Sequence, residues 1–442
     1  MSRHAAFVIV AGCLAVSSCS PAGPSGVPSV APPLSQLVRV ASSGPADGDG
    51  SADRPFRTIQ QAVDTAAPGS TVLVAGGDYA GFHVTRDGIT VAAAPGGRVR
   101  VHDDSRNVIT FEGVSGGGID GLDITAGQAR YGSGVMIDGS TGVQVQRSRV
   151  HDGRTFGIVV VRSTHVLLAD NDVYRNADGI EERYASDLTI RANRIHGNLA
   201  EVDAGRGREG INFYKSTGPV TVESNTLWNN GTHFEVYGAS GLVFRDNVTH
   251  DGQVMETGTE DGLPCADNIF VRNVAFRGHR QSSGMILRCA QNMLVAHNVF
   301  DGFDEFAFDV IDGSQGVHYG GSVEQLRIVD NIVVRGRAYS IDNALPASVV
   351  IDHNLVDPSG SVASHGQYVA FVAGHGNAAT QPEFTQWTGY DLHGLAASPQ
   401  FADRSRHDYQ LTAGSPAVDK GLVVLDEPFQ GAAPDIGRYE FR

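Results

Sequence analysis

One asparagine recurs along the middle of this chain at intervals of about 22 to 33 residues. It follows a run of alternating apolar residues each time, as in LTIRA over residues 188–192. Asparagine tolerates left-handed backbone and bonds locally in turns, so stacked copies could bond to one another along an axis. One repeat cannot bury its apolar face alone, and the pattern therefore predicts a solenoid of stacked coils. The recurring residues are Asn171, Asn193, Asn225, Asn247, Asn273, Asn298, Asn331 and Asn354.

Composition agrees with a strand-and-turn repeat and restricts the partners. Apolar residues make up 41% of the 442 residues, aromatic residues only 7%, and 55 residues are glycine. The formal net charge of -16 argues against nucleic acid or an anionic membrane surface as a general partner. A polyanionic substrate would need a local cation, either from Arg and Lys side chains or from a metal ion.

The N-terminus has the pattern of a targeting segment. An apolar run over residues 5–16 is too short to span a bilayer as a helix. Residues 16–19 resemble a bacterial lipobox, in which Cys19 would become the lipidated first residue of the mature protein. We expect residues 1–19 to be a lipoprotein signal peptide and residues 20–40, rich in Pro, Ser, Gly and Ala, to be a flexible linker. The alternative is ordinary secretion, in which Cys19 is irrelevant. The expected location is the bacterial cell envelope, lipid-anchored or secreted, and any membrane contact is through a lipid on Cys19.

A short helix precedes the repeats. Between Pro55 and Pro68 the apolar residues are spaced as on one face of a helix: Phe56, Ile59, Ala62, Val63 and Ala66. Such a helix would cover the open core at the N-terminal end of the stack.

The repeats resemble the right-handed parallel β-helix of pectate lyases, alginate lyases and mannuronan epimerases. That resemblance implies an all-β fold with three strands per coil and an Asn ladder at one bend. It assigns residues 41–370 to the β-helix. Residues 371–442 resemble a C-terminal segment common on secreted bacterial β-helix proteins and are expected to be a C-terminal cap. The fold also hosts hydrolases and adhesins, so it does not by itself define the chemistry.

Alternation along the first strand of each coil separates two faces. Ile158, Ile180 and Ile211 fall on the core face, and Glu182 falls in the same column, where it is either a buried carboxylate with a partner or a sign of a bulged strand. Lys215 lies at a strand end beside the opposite face. Aromatic rings, carboxylates and guanidinium groups together favour a groove for a sugar chain over a merely solvated sheet face. The opposite face carries Glu181, Arg183, Asn212, Tyr214, Glu235, Tyr237 and Arg288.

Two longer, charged connections return to this face. Residues 199–209 extend one coil by about ten residues and carry two arginines and three acidic residues, and residues 250–262 add four more acidic residues. Charged loops on both sides of one strip are typical of a binding site.

The stretches 176–181, 210–213 and 222–231 are similar to the family 9 pectate lyases. That resemblance implies a Ca²⁺ site at Asp178 and Glu181, with Glu182 as a further ligand, and hard oxygen donors suit this ion. It also implies a lysine that removes the proton α to a uronate carboxylate. This chain has Arg208-Glu209 at the lysine position, so Lys215 or Arg208 would have to replace the base.

Three functions remain open. The first is β-elimination on a uronate polysaccharide, with epimerisation as a variant of the same proton abstraction. The second is glycoside hydrolysis by two carboxyl groups, for which Glu181, Glu182 and Glu235 are the candidates. The third is glycan binding without catalysis. The chain is expected to act as a monomer.

The cysteines beyond the signal region are Cys265 and Cys289. They occupy the same column of adjacent coils, and neighbouring strands lie about 4.8 Å apart, within the Cα range of a disulfide. We therefore predict a structural disulfide between them.

Overall fold

The structure, a computed structural model, describes residues 37–199, 208–216, 218–278, 282–313, 319–342, 344–357, 359 and 368–441. The expected signal peptide, lipidation at Cys19 and most of the linker lie outside these residues, as do residues 200–207 of the first insertion. Within the described part of the chain there is no helix long and apolar enough to cross a membrane.

The chain coils through three long sheets, so that each turn adds one strand to each sheet. All neighbouring strands in these sheets are parallel except for the last pair of the first sheet. Sheet 1 consists of Phe82–Val84, Asn107–Glu112, Ser133–Asp138, Phe156–Val161, Asp178–Arg183, Glu209–Tyr214, Thr232–Tyr237, Gln253–Gly258, Met285–Leu287, Phe306–Val310, Arg337–Ile341, Ala370–Val372 and the antiparallel Gly376–Ala378.

Sheets 2 and 3 complete each coil. Sheet 2 consists of Leu37–Val40, Thr71–Val74, Thr90–Ala93, Gly118–Asp120, Gln144–Gln146, Thr164–Ala169, Ser186–Arg191, Val220–Glu223, Leu242–Arg245, Ile269–Val271, Leu294–Ala296, Arg327–Val329 and Val350–Asp352. Sheet 3 consists of Gly77–Tyr79, Val99–His102, Leu122–Thr125, Arg149–His151, Asp172–Tyr174, Arg194–His196, Thr226–Trp228, Val248–His250, Val274–Phe276, Val299–Asp301, Ile332–Val334 and Leu355–Asp357. Two short pairs, Ala290–Gln291 with Val323–Glu324 and Phe401–Asp403 with Asp408–Leu411, lie outside the coils.

The predicted core face is confirmed. Ile158, Ile180, Ile211 and Phe234 are directly paired across successive strands and are fully buried. Alternation along a strand sends every second side chain outward, so this register fixes which residues of sheet 1 face solvent.

The Asn ladder is also present. The side chain of Asn225 donates to the Asn247 side chain at 3.0 Å and to the Ile190 carbonyl at 2.9 Å, and its own oxygen accepts the backbone N–H of Asn193 at 2.9 Å. The ladder satisfies buried backbone groups at the bend between sheets 2 and 3. At its C-terminal end, Asn354 donates its backbone N–H to Asp391 at 3.1 Å.

The predicted N-terminal helix spans Ile59–Thr65. Thr58 and Gln61 form a capping box at its start, which satisfies backbone N–H groups that have no partner within the helix. Ile59, Ala62 and Val63 are buried.

The C-terminal segment covers more of the molecule than its end. The helix Gln381–Thr388 packs against the last strands of sheet 1, with the Phe384 ring stacked on Tyr339 at 4.8 Å. Residues 401–441 then run back along the outside of the coils. Their apolar side chains pack on outward residues of sheets 2 and 3: Tyr409, Leu411, Ala417 and Ile436 on sheet 3, and Leu422, Val424 and Leu425 on sheet 2.

Cys265 and Cys289 form the predicted disulfide, with Cα atoms 5.6 Å apart. The bond joins two consecutive coils next to sheet 1.

Candidate active site

A cavity of about 200 Å³ opens on the outward face of sheet 1. Carboxyl groups form its floor and tyrosines its sides. Its lining consists of Tyr131, Thr155, Phe156, Asp178, Glu181, Arg183, Glu209, Asn212, Tyr214, Glu235, Tyr237, Glu260 and Tyr319.

Strand register stacks the polar residues of this floor into columns. Glu181 pairs with Asn212, Asn212 with Glu235, and Glu235 with Glu256. Neighbouring strands are about 4.8 Å apart, so this single column brings three carboxyl groups close together. The parallel column of Arg183, Tyr214 and Tyr237 forms the adjacent side.

Asp178 and Glu209 are a second pair of close carboxyl groups. Each comes directly before a glycine at the start of its strand, and a ladder of buried amides, Asn176 on Asn198 and Asn198 on Asn230, holds the bend just before these strands. The Glu209 backbone N–H donates to the Asp178 carboxyl at 3.3 Å, and each carboxyl group affects the pKa of the other. Burial, reinforced by the charge of Glu209, holds the pKa of Asp178 well above its ordinary value.

The same crowding raises the pKa values of the other acids. Burial raises the pKa of Glu209 to about 7, with the charges of Glu235 and Glu181 adding to the effect. Burial, followed by the charges of Glu256, Asp178 and Glu181, raises the pKa of Glu235 to about 8. Near neutral pH the floor therefore holds protonated carboxyl groups.

Glu181 has a different environment from its neighbours. The Arg183 guanidinium forms an ion pair with the Glu181 carboxylate, and the side chain of Glu181 is buried. A cation in contact with a carboxylate stabilises its charged form. One cavity thus combines an arginine-paired carboxylate with neighbouring carboxyl groups that retain their protons, which is the usual arrangement for acid–base catalysis by two carboxyl groups.

Tyrosines form the sides of the cavity. The Tyr214 hydroxyl donates to Glu260, and the Tyr237 ring meets the Tyr319 ring edge-on at 5.3 Å. Such rings offer apolar surfaces to the faces of a pyranose.

The family profile described as "Right handed beta helix region" matches residues 81–249 and 209–380. The chain belongs to this family. A search of curated proteins found no match.

Among solved structures, the chain is similar to the pectate lyase Pel9A, with 14% identity, a TM-score of 0.51 and coverage of 92% of this chain and 97% of that one. It is also similar to the A-module of the mannuronan C-5 epimerase AlgE6 from Azotobacter vinelandii, with 16% identity, a TM-score of 0.54 and coverage of 77% and 95%. Identities this low establish the fold alone.

The position of Glu182 corrects the expectation that it joins Asp178 and Glu181. Its side chain points into the coil, where it is fully buried and accepts hydrogen bonds from the Ser216 hydroxyl and, at 2.6 Å, from the Ala185 backbone N–H. A residue on the core side cannot ligate a metal, or act on a substrate, at the outward face.

The two candidate bases, Lys215 and Arg208, lie outside the lining of the cavity. Lys215 forms an ion pair with Asp261 at 2.6 Å, and this contact raises the pKa of the lysine, whereas a base needs a lowered one. Arg208 is exposed, and its backbone carbonyl accepts the Gly231 N–H at 2.7 Å. Neither side chain is among the described residues that line the cavity.

Four of the five predicted substrate-binding residues line the cavity. Arg183, Asn212, Tyr214 and Tyr237 line the cavity, whereas Arg288 lies beside it in an ion pair with Glu256.

Six lining residues were not among the predicted site residues: Tyr131, Thr155, Phe156, Glu209, Glu260 and Tyr319. Glu209 could have been found, because Glu209-Gly210-Ile211 repeats Asp178-Gly179-Ile180 one coil later. Tyr131, Phe156 and Tyr319 come from a turn, a strand start and a loop. Their approach depends on how the loops fold over the sheet, which no periodicity encodes.

The side-chain oxygens of the cavity suit a hard cation chemically, but they are not close enough together to surround one. The Asn212 side-chain oxygen is buried and has no hydrogen-bond partner among the described residues. Oxygens of this kind bind Ca²⁺ at about 2.3–2.6 Å. However, no three acidic side chains of this cavity have ligand atoms within 4.8 Å of one another in the described structure. The carboxyl groups would have to converge to hold the ion.

Proposed function

We propose that this protein cleaves a polysaccharide in the cavity of sheet 1 by acid–base catalysis between carboxyl groups. The observation behind the proposal is the contrast inside one cavity between Glu181, paired with Arg183, and Glu235, whose pKa is raised to about 8. The fold similarity to a pectate lyase and a mannuronan epimerase supports a polysaccharide as the class of substrate.

Each carboxyl group has a role that follows from its environment. Glu235 keeps its proton near neutral pH and is the proposed acid, which protonates the oxygen of the leaving sugar. Glu181, whose carboxylate is paired with Arg183, is the proposed base, which takes a proton from the attacking water. Asp178 and Glu209 would hydrogen-bond to the sugar hydroxyls beside them.

The spacing of Glu181 and Glu235 favours hydrolysis with inversion of configuration. Glu181 and Glu235 lie on strands separated by the strand of Asn212. Two strand spacings are about 9.6 Å between backbones. Inverting glycosidases place their carboxyl groups about 6.5–9.5 Å apart, and retaining ones only about 5–5.5 Å.

The charge of the cavity favours a neutral glycan for this reaction. Five of the residues that line it are acidic, Asp178, Glu181, Glu209, Glu235 and Glu260, against the one guanidinium of Arg183. Because Arg183 is already paired with Glu181, the described lining offers no further cationic side chain for a uronate carboxylate, and a uronate chain would need a metal ion bound with it.

The second candidate is Ca²⁺-assisted β-elimination on a uronate polysaccharide, and the unpaired Asn212 oxygen favours it. Asp178, Glu181, Glu209 and Asn212 would hold the ion. A bound Ca²⁺ would neutralise the uronate carboxylate and acidify the proton α to it. Lys215 would have to leave Asp261 to act as the base, or Arg208 would have to turn into the cavity.

One assay separates the two reactions. The purified full chain is incubated with neutral glycans and with pectate, alginate and glucuronan, in Ca²⁺ and in chelator. Hydrolysis yields new reducing ends without ultraviolet absorbance, whereas elimination yields an unsaturated uronate that absorbs. We expect reducing ends that persist in chelator, and a loss of rate of at least about 100-fold in Glu235→Gln. Glu324→Gln, an exposed residue outside the cavity, is the control. A chelator-sensitive rise in absorbance would instead establish elimination, and no product on any glycan would leave a binding protein.

We also propose that the protein works as a monomer at the bacterial cell envelope, anchored through Cys19. The support is the lipobox-like sequence and the tether that follows it. Cys19→Ala is expected to move the protein from the membrane fraction to the soluble fraction.

A further inference from the structure

A second group of ligand-type side chains lies far along the chain from the cavity. Asp352 ends the last strand of sheet 2, His353 occupies the turn that follows it, and His393 lies in the C-terminal segment after the helix Gln381–Thr388. The potential ligand atoms of the three side chains all lie within 4.8 Å of one another.

These atoms converge on one oxygen. The Nδ1 atom of His393 lies 2.8 Å from Asp352 Oδ2, and the Nδ1 atom of His353 lies 3.4 Å from the same oxygen. The Nδ1 atom of His353 is buried and has no hydrogen-bond partner among the described residues. A buried imidazole nitrogen without a hydrogen-bond partner is available to bind a metal ion.

The carboxylate is held in place by its other oxygen. Asp352 Oδ1 accepts the backbone N–H of His353 at 3.0 Å and that of His393 at 2.8 Å. These two bonds aim Oδ2 at both rings. Such supporting contacts orient the side chains that bind the ion in metal sites.

We infer that Asp352, His353 and His393 bind a divalent transition metal, with Zn²⁺ as the best match. Two imidazole nitrogens and one carboxylate are a ligand set typical of zinc sites, with a fourth position left for water. Tetrahedral bonds of about 2.0–2.1 Å place neighbouring ligand atoms about 3.3 Å apart. The observed 2.8 and 3.4 Å lie on either side of that separation.

The position of the group gives the metal a structural role. Two ligands belong to the last coil, and the third belongs to the segment that folds back over the end of the coils. A metal bound by all three would fasten that segment to the β-helix, and its binding energy would add to the stability of the folded chain.

The chain offers a matched control. His165 is exposed like His393, with side-chain exposures of 68% and 65%, and it also pairs with an aspartate, Asp187, at 2.8 Å. Only His393 has a second imidazole beside it, since its ring lies 4.8 Å from that of His353.

The test is calorimetric titration of Zn²⁺ into the untagged full chain, together with the visible spectrum of the Co²⁺-loaded protein. We expect one tight site, a rise in Tm with Zn²⁺ and the absorption bands of tetrahedral Co²⁺. His393→Ala should weaken binding at least about tenfold, because even the loss of a supporting contact costs that much. His165→Ala should bind like the wild type. Absence of a stoichiometric site, or binding that His393→Ala leaves unchanged, would overturn the inference.

Discussion

Single residues decide how this repeat departs from its own pattern, and Glu182 is the clearest case. At the turn after sheet 1, the hydroxyl groups of Ser140 and Ser163 accept backbone N–H groups of the preceding coil. Ala185 has no hydroxyl group, and at this turn the Glu182 carboxyl accepts both the Ala185 N–H and the hydroxyl of Ser216 from the next coil. The residue that interrupts the apolar column is therefore part of the turn and not of the cavity.

The buried carboxyl group of Glu182 should make stability depend on pH. Its pKa rises from 4.5 to about 8, chiefly through burial. The folded chain then holds a proton that the unfolded chain has released, so this contribution is full below 4.5 and is lost as pH rises toward 8. Glu182→Gln should flatten the curve, by at most about 1.4 kcal/mol per pH unit. Urea unfolding at several pH values measures the effect, and an unchanged slope would contradict it.

Glu256 should set the alkaline limit of activity through its effect on the pKa of Glu235. It follows burial as the largest cause of the raised pKa of Glu235. In Glu256→Gln that charge is removed and Arg288 loses its ion-pair partner, so the pKa of Glu235 should fall. Glu235 would then lose its proton at lower pH, and the alkaline limb of the kcat/KM profile should move to lower pH. Glu324→Gln should leave the limb in place; a limb that moves in neither variant would remove Glu235 as the acid.

At the scale of the element, the ladder at the bend is the contact that stacks one coil on the next. The Asn225 side chain connects Asn193, Asn247 and the Ile190 carbonyl, all of them buried. Asn225→Ala would remove the acceptor of the Asn193 N–H and a donor to the Ile190 carbonyl, and each buried orphan costs about 1–3 kcal/mol. We expect a loss of about 3 kcal/mol or more in the free energy of unfolding, measured with urea. Asn377→Ala, at an exposed strand position, should change it by less than about 0.5 kcal/mol.

At the scale of the whole molecule, periodicity predicted what the coils share and missed what is specific to one place. The repeat gave the stack, the inward column of Ile158 and its partners, and the disulfide. It could not reveal the tail, although one signal was present: in Val274–Phe276 and Ile332–Val334 both faces are apolar rather than alternating. Strands of that kind are covered on both sides. The side of the cavity that strand register determines was predicted, whereas the contributions of Tyr131 and Tyr319, which come from loops, were not.

The tail should therefore stabilise the molecule as a cover for sheet 3. Ile436 is buried against outward residues of that sheet, including Val299 and Ile332. Ile436→Asp would place a charge in this contact and release the tail, because an unpaired charge is costly in apolar surroundings. We expect a lower Tm, faster proteolysis after residue 395 and binding of a hydrophobic dye. Val423→Asp, in the same tail but 68% exposed, should behave like the wild type. Val299 and Ile332 lie two and three coils beyond the coil of Glu235 and on a different sheet, and coils contact mainly their neighbours, so the cavity should keep its activity below the lowered Tm. A parallel loss of activity in the folded variant would instead show that the tail and the cavity are coupled.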